Sequence, residues 1–247
     1  MRSSALLLAA LLLAAAPLGC SEEAETKVVE ATAAEHGEAL FHDPGLSGVA
    51  ANAYSCGTCH EATPGERPGV ILPGLPLAGA VNRPSFWGGE EIELLRSVNY
   101  CFYYFMLADH LLTPEDPDAR ALYAYLESLP SSPELDAAQT MTPVILIADP
   151  PPGDAARGAA SYAAACGLCH GESHTAAGRL VSFAPLLPEQ TLEEHPLTDY
   201  TALERRLVFV DKVRHGGFVG YGGSMPPFSA EKLSDQDLGD ILTFLGL

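Results

Sequence analysis

Apolar residues recur at helical spacing in several short segments, which are separated by stretches rich in Pro and Gly. The spacing predicts helices over residues 36–41, 90–106, 118–129, 154–165, 200–215 and 235–245. Pro117 before the third segment and Ser234 before the last are typical signals of a helix N-terminus. No region shows a series of strand-like alternations, so the pattern predicts an all-α fold.

The predicted helices fall into two similar groups, which indicates an internal repeat. Each group has an opening helix, a long loop rich in Pro and Gly or Leu, a middle helix and an amphipathic closing helix. We therefore predict a first domain over residues 35–130 and a second over 154–247. The Pro-rich segment 131–153 would link them, with its apolar run 142–148 extended against a domain surface.

The N-terminus has the features of an export signal. Arg2 is followed by an apolar run over residues 5–16, which is too short to span a bilayer. Pro17-Leu-Gly-Cys20 resembles a bacterial lipobox, in which the Cys receives a lipid. We predict a lipoprotein-type signal peptide over 1–19 and an acidic tether over 20–34. The resemblance implies lipid anchoring through Cys20 on the periplasmic side of a bacterial membrane, the alternative being secretion to the periplasm.

The same pentapeptide, Cys-x-x-Cys-His, occurs once in each predicted domain. The copies are Cys56-Gly-Thr-Cys59-His60 and Cys166-Gly-Leu-Cys169-His170, with 110 residues between their first cysteines. The two thiols of such a motif can add to the vinyl groups of one haem, and the His then becomes an axial iron ligand. The alternatives are disulfides or zinc half-sites, but neither motif is followed by the second ligand pair that a zinc site needs. The motifs predict two covalent haem c groups.

Charge limits the classes of partner. The formal net charge is −19, which argues against nucleic acid because phosphates require a basic surface. An acidic surface suits a basic redox partner, or solubility alone.

The second domain resembles a class I cytochrome c over its whole length. The resemblance rests on the Cys166 motif, the Met225-Pro-Pro-Phe loop and the closing helix. It implies that Met225 is the sixth iron ligand. It also places Arg214 near a haem propionate, the alternative being a solvated side chain, and His174, His195 and His215 at the surface or beside the propionates.

The first domain departs from this pattern, because no Met-Pro follows its motif. Aligning the repeats gives two candidates for the sixth ligand, Cys101 and Met106. Asn99-x-Cys101, followed by Met106, resembles diheme thiosulfate dehydrogenases, as does Phe86-Trp-Gly. That resemblance implies His/Cys ligation of the first haem, while a buried small hydrophobe is the other interpretation of Cys101.

These observations together predict an all-α protein of two tandem class I cytochrome c-like domains, each enclosing one haem. We expect an exported diheme cytochrome that transfers electrons between redox partner proteins. The alternative is a haem oxidoreductase of the thiosulfate dehydrogenase type, acting on a small sulfur compound at the first haem. Basic residues lining a cleft would favour the alternative. The first domain has four positive side chains, Arg67, Arg83, Arg96 and Arg120, which are too few to decide.

Overall fold

The computed structural model describes residues 31–142, 144–218 and 223–247. Regular structure in these ranges is helical, apart from an isolated bridge between Phe86 and Glu91. The all-α prediction is therefore confirmed. The predicted signal peptide, and the tether up to residue 30 with Cys20, lie outside the described residues. In the part that is described, no helix has the length and apolar character needed to cross a membrane.

The helices follow the predicted order along the chain. In the first half, residues 31–130, they are α1 (Ala33–Phe41), α2 (Cys56–Cys59), α3 (Leu94–Tyr104) and α4 (Pro117–Ser128). In the second half, residues 154–247, they are α5 (Ala155–Ala165), α6 (Gly167–His170), α7 (Glu189–Glu194), α8 (Ala202–His215) and α9 (Asp235–Phe244). Short 3₁₀ turns cover Pro44–Ser47, Ala80–Asn82 and Trp87–Gly89.

Two elements differ from the prediction. Helix α3 starts at Leu94 and not at residue 90, because Glu91 pairs with Phe86 and its carboxylate accepts the backbone N–H groups of Ile92 and Glu93. The residues before Leu94 thus form a turn that precedes the helix. Helix α7 lies in a segment that was expected to be loop.

Each half is built on one pair of crossing helices, α1 on α4 and α5 on α9. A glycine lies at each crossing. A Cβ on Gly37 would come within 1.9 Å of the Ala121 carbonyl oxygen, and one on Gly158 within 2.0 Å of the Asp240 carbonyl oxygen. Only a residue without a side chain lets the two backbones approach this closely.

The chain from Ala31 to Leu247 forms one compact unit. It contains two clusters of buried apolar residues, but they do not divide cleanly between the halves. Val181 and Ala184 of the second half belong to the first cluster, and Ile71 of the first half packs against the second. Whether residues 35–130 and 154–247 fold independently stays a prediction.

The segment between the halves lies against the second half. The His215 ring lies between Asp211 on its own helix and the Val144 carbonyl oxygen, with 2.7 Å from Nε2 to that oxygen. Arg206 pairs with Asp149 at 2.8 Å, and Ile147 packs against the second cluster. The described part of the run 142–148 contains no helix or strand. The prediction that the whole run packs against a domain surface is wrong for Ile145 and Leu146, which are 85% and 86% exposed.

Candidate cofactor sites

Both Cys-x-x-Cys-His motifs form a single helical turn. The His60 N–H donates to the Cys56 carbonyl oxygen at 2.9 Å, and the His170 N–H donates to the Cys166 carbonyl oxygen at 3.0 Å. The turn brings the two cysteines and the histidine of each motif together within five residues of chain.

The two motif histidines have the same partner. His60 Nδ1 lies 2.7 Å from the Leu75 carbonyl oxygen, and His170 Nδ1 lies 3.2 Å from the Pro185 carbonyl oxygen. Since a carbonyl oxygen only accepts hydrogen bonds, Nδ1 carries the proton in each ring. Burial lowers the pKa of both imidazoles, which favours the neutral form and leaves a lone pair on Nε2. A neutral imidazole oriented through its second nitrogen is the form that binds a metal.

The loop that holds His60 is fixed by contacts that the sequence did not reveal. Arg83 is 9% exposed and donates to the carbonyl oxygens of Pro76, Ala78 and Leu135. Gly74 passes so close to His60 that a Cβ would lie 2.4 Å from its imidazole. The guanidinium and the glycine together keep the Leu75 carbonyl within reach of the ring.

The second site is a mainly apolar cavity of about 400 Å³. The predicted attachment and ligand residues of the second half line it: Cys166, Cys169, His170 and Met225. Phe209, Phe228 and Leu242 are among its apolar walls. A pocket with apolar walls, thiols for attachment and two iron-ligand types fits the requirements of haem c.

The loop that carries Met225 is tied to the end of α8. The Gly217 N–H donates to the Met225 carbonyl oxygen, and the Phe228 N–H donates to the Val213 carbonyl oxygen, each at 2.8 Å. Arg214 is 4% exposed; it donates to the carbonyl oxygens of Phe228, Ser229 and Leu233 and pairs with Asp235. The solvated alternative for Arg214 is wrong, because backbone carbonyl oxygens and Asp235 enclose the guanidinium. A contact between Arg214 and a haem propionate stays a prediction.

The first site gathers three thiols. Cys101 of α3 interacts electrostatically with Cys56 and Cys59, and Cys56 and Cys101 pack against the first apolar cluster. Burial raises the pKa of Cys56 to about 11 and that of Cys101 to about 12. The five cysteines in the described residues are free, so the disulfide interpretation of the motifs is not supported.

Both candidates for the sixth ligand of the first site lie near the end of α3. The Met106 side chain is 3% exposed and belongs to the first cluster, while the Met106 N–H donates to the Cys101 carbonyl oxygen at 3.1 Å. The choice between them stays a prediction. Trp87, next to this cluster, has a buried indole N–H with no hydrogen-bond partner in the structure, which leaves a donor for a polar group of a bound cofactor.

Comparison with known proteins assigns the second half. Residues 153–245 match the family model described as cytochrome c oxidase, cbb3-type, subunit III. The second half is a cytochrome c domain. No curated protein matches the chain. Among solved structures, the chain is similar to the thiosulfate dehydrogenase TsdBA of Marichromatium purpuratum, with 20% identity and a TM-score of 0.43. The match covers 86% of this chain and 45% of the other, so this chain spans less than half of that one.

The remaining histidines of the cytochrome c domain do not all lie at its surface. His174 is half-exposed and pairs with Glu189. His195, in contrast, is buried, lines the cavity and donates from Nδ1 to the Thr191 carbonyl oxygen at 2.8 Å. His215 is engaged with the linker, as described above.

The arginines of the first half all have partners within the protein. Arg67 donates to the Gly57 carbonyl oxygen, and Arg83 is bound by backbone carbonyls. Arg96 pairs with the acidic residues at the start of α3, and Arg120 donates to Pro114. These four residues do not form a cleft lined by basic side chains, which would favour the binding of a dianionic sulfur compound.

Proposed function

We propose that this protein is an exported diheme c-type cytochrome that passes electrons between redox partner proteins. One observation carries the proposal: the Cys-x-x-Cys-His motif occurs twice, and in both copies the histidine Nδ1 is held by a carbonyl oxygen 15 residues farther along the chain. The second half is a cytochrome c domain, and the first half repeats its attachment chemistry. Haem bound at each motif would supply an iron that cycles between two oxidation states.

The residues that would hold each group follow from this geometry. Cys56 and Cys59, and likewise Cys166 and Cys169, would form the thioether links, and His60 and His170 would be the proximal ligands. Met225 would complete the second site. Its thioether is a soft, neutral donor that favours the reduced iron and raises the potential. An iron with both axial positions filled has no site for substrate, which supports electron transfer over catalysis at the second haem.

The proposed partners follow from the net charge of the protein and from its predicted lipid anchor. A formal net charge of −19 would attract a basic redox protein and speed its association at low ionic strength. A lipid on Cys20 would hold the protein at the periplasmic face of the membrane. Cys20→Ala should release the protein from the membrane fraction or block its processing. A variant that is processed and stays with the membrane would show that the anchor lies elsewhere.

A second candidate function has one observation in its favour. Cys101 neighbours Cys56 and Cys59 and packs against the first apolar cluster, which supports it as a candidate thiolate ligand of the first haem. Thiolate ligation would fit oxidation of a small sulfur compound there, as in the thiosulfate dehydrogenase type. The engaged arginines weigh against a dianionic substrate. A reduced-minus-oxidised titration with and without thiosulfate separates the candidates, because only an oxidoreductase is reduced by the compound itself.

The test of the proposal is the mass of the denatured protein. The mature chain should exceed the processed polypeptide by two haem groups plus any lipid. The double variant Cys166→Ala, Cys169→Ala should carry one haem. Cys101→Ala is the matched control, since it removes a cysteine outside both motifs and should keep two haems. A wild-type mass with one haem or none would refute the diheme proposal.

A further inference from the structure

The second site is not built by the second half alone. Its cavity is lined also by Thr58 and Cys59 of the first motif and by the loop over residues 70–73. This loop is attached to the second half, since the Ile71 N–H donates to the Ala164 carbonyl oxygen at 3.0 Å. The first half therefore forms part of the walls around the cavity of the cytochrome c domain.

The second half contributes to the first apolar cluster in the same way. Residues 70–73 follow His60 by 10 to 13 positions and reach the second site, while Val181 and Ala184 follow His170 by 11 and 14 positions and belong to the first apolar cluster. Equivalent loops of the repeat thus cross to the opposite half. The faces that carry the two motifs are turned toward each other.

Tyr54 lies between the two motifs. It comes two residues before Cys56, is 4% exposed, and lines the cavity of the second site. Its hydroxyl neighbours the side chain of Cys169, the second attachment cysteine of the second motif. Ser224, immediately before Met225, lines the same cavity, and its hydroxyl is buried without a hydrogen-bond partner in the structure.

The backbone around Tyr54 is fixed by a neighbouring amide. Asn52 Nδ2 donates to the Tyr54 carbonyl oxygen at 2.7 Å, and the Tyr54 N–H donates to Asn52 Oδ1 at 2.9 Å. The same Nδ2 donates to the Pro44 carbonyl oxygen. Burial raises the pKa of the Tyr54 phenol, so the hydroxyl keeps its proton and is a permanent donor.

We propose that Tyr54 is a positioning residue of the opposite half's haem site, and that its hydroxyl raises the reduction potential of the haem attached at Cys166 and Cys169. The inference rests on the diheme function proposed above. Once a thioether has formed, the Cys169 sulfur can only accept a hydrogen bond. A phenol proton directed at that sulfur places positive charge at the edge of the site. It stabilises the reduced state, which carries one positive charge fewer, and such contacts are known to set haem potentials.

Tyr54→Phe tests the proposal, because it keeps the ring and removes the hydroxyl. The two redox waves are first assigned with Met225→His, which should move the wave of the second haem alone. Spectroelectrochemical titration of Tyr54→Phe should then show a lower potential for that haem and an unchanged potential for the first.

Tyr125→Phe is the matched control. Tyr125 is equally a buried tyrosine of the first cluster, its ring packs on Phe41 with centroids 5.4 Å apart, and it does not line the cavity. It should leave both potentials unchanged, although the thermal midpoint can fall. An unmoved second wave in Tyr54→Phe, a shift confined to the first wave, or an equal shift in Tyr125→Phe would overturn the assignment. Since the haem count is measured separately by mass, each of these outcomes leaves the diheme proposal standing.

Discussion

Replacing Arg214 with alanine should release the loop that carries Met225. The guanidinium is enclosed, with 1% of the side chain exposed, and it is the donor for the carbonyl oxygens of Phe228, Ser229 and Leu233, at 3.1, 3.2 and 2.8 Å. These three residues lie three, four and eight positions after Met225 in the chain.

The magnitude follows from what the substitution leaves behind. A buried polar group without a partner costs about 1–3 kcal/mol. The Ser229 carbonyl oxygen keeps the N–H groups of Lys232 and Leu233, so the loss of the charged donor falls mainly on the carbonyl oxygens of Phe228 and Leu233. Some of that cost is recovered when the loop relaxes or water enters. The ion pair with Asp235 contributes little, because the Asp235 side chain is 68% exposed. We expect a loss of about 3–5 kcal/mol, a large fraction of the roughly 5–15 kcal/mol that stabilises a typical domain.

The assay combines three measurements on Arg214→Ala. Denaturant unfolding should show the loss of stability, and the weak near-infrared sulfur-to-iron band of a His/Met haem should fade. The haem count by mass should stay at two, since attachment depends on the thioether links. Arg206→Ala is the control in the same helix, because Arg206 binds Asp149 and the Leu247 carbonyl oxygen and not the Met225 loop. A normal band in Arg214→Ala, or equal loss of the band in Arg206→Ala, would refute the reasoning.

Three further predictions concern other parts of the molecule. Gly158→Ala should separate α5 from α9 and destabilise the protein by about 1–3 kcal/mol or more, measured by thermal unfolding, since its Cβ would lie 2.0 Å from the Asp240 carbonyl oxygen; an unchanged midpoint would contradict the close crossing. Arg157 and backbone donors lower the pKa of Asp240 to about 2, below its ordinary value, so its contribution to stability should be complete above about pH 4 and be lost as the pH falls through about 2; unfolding midpoints measured against pH should lose this step in Asp240→Asn. If Cys101 ligates the first haem, electron paramagnetic resonance of Cys101→Ala should lose a low-spin thiolate signal that Met106→Ala keeps, and the opposite result would make Met106 the ligand.

Local signals predicted most of the fold. The helical spacing of apolar residues predicted the order of the main helices, and the cap Ser234 corresponds to an observed helix start, since its side chain accepts the N–H of Asp237. The motifs predicted the attachment cysteines and histidines because haem attachment depends on a pentapeptide. Helix α7 was missed because its six residues are too few to show a period.

Long-range contacts could not be predicted in this way. The position of Arg214 at the end of a helix suggested a role at the cofactor, but its partners lie 14 to 21 residues farther along the chain, where no periodicity links them. The contacts that position His60 could not be predicted for the same reason, because Arg83 binds the Leu135 carbonyl oxygen, 52 residues farther along the chain. Buried guanidinium groups that bind several carbonyls depend on loop conformation, and loop conformation has no sequence period.

The two loops that reach the opposite half change the structural interpretation of the internal repeat. Periodicity alone indicated two domains, each with its own core, and hence two haem sites that respond to mutation separately. In the structure, Ile71 packs on the second cluster and Val181 on the first, so each site borrows apolar surface from the other half. Side chains of one half thus lie beside the site of the other half, which is the basis of the proposed action of Tyr54 on the second haem. If both motifs carry haem, as proposed, the two irons would lie within one compact unit and could exchange electrons without a change in domain arrangement, which is the property that a two-centre electron carrier requires.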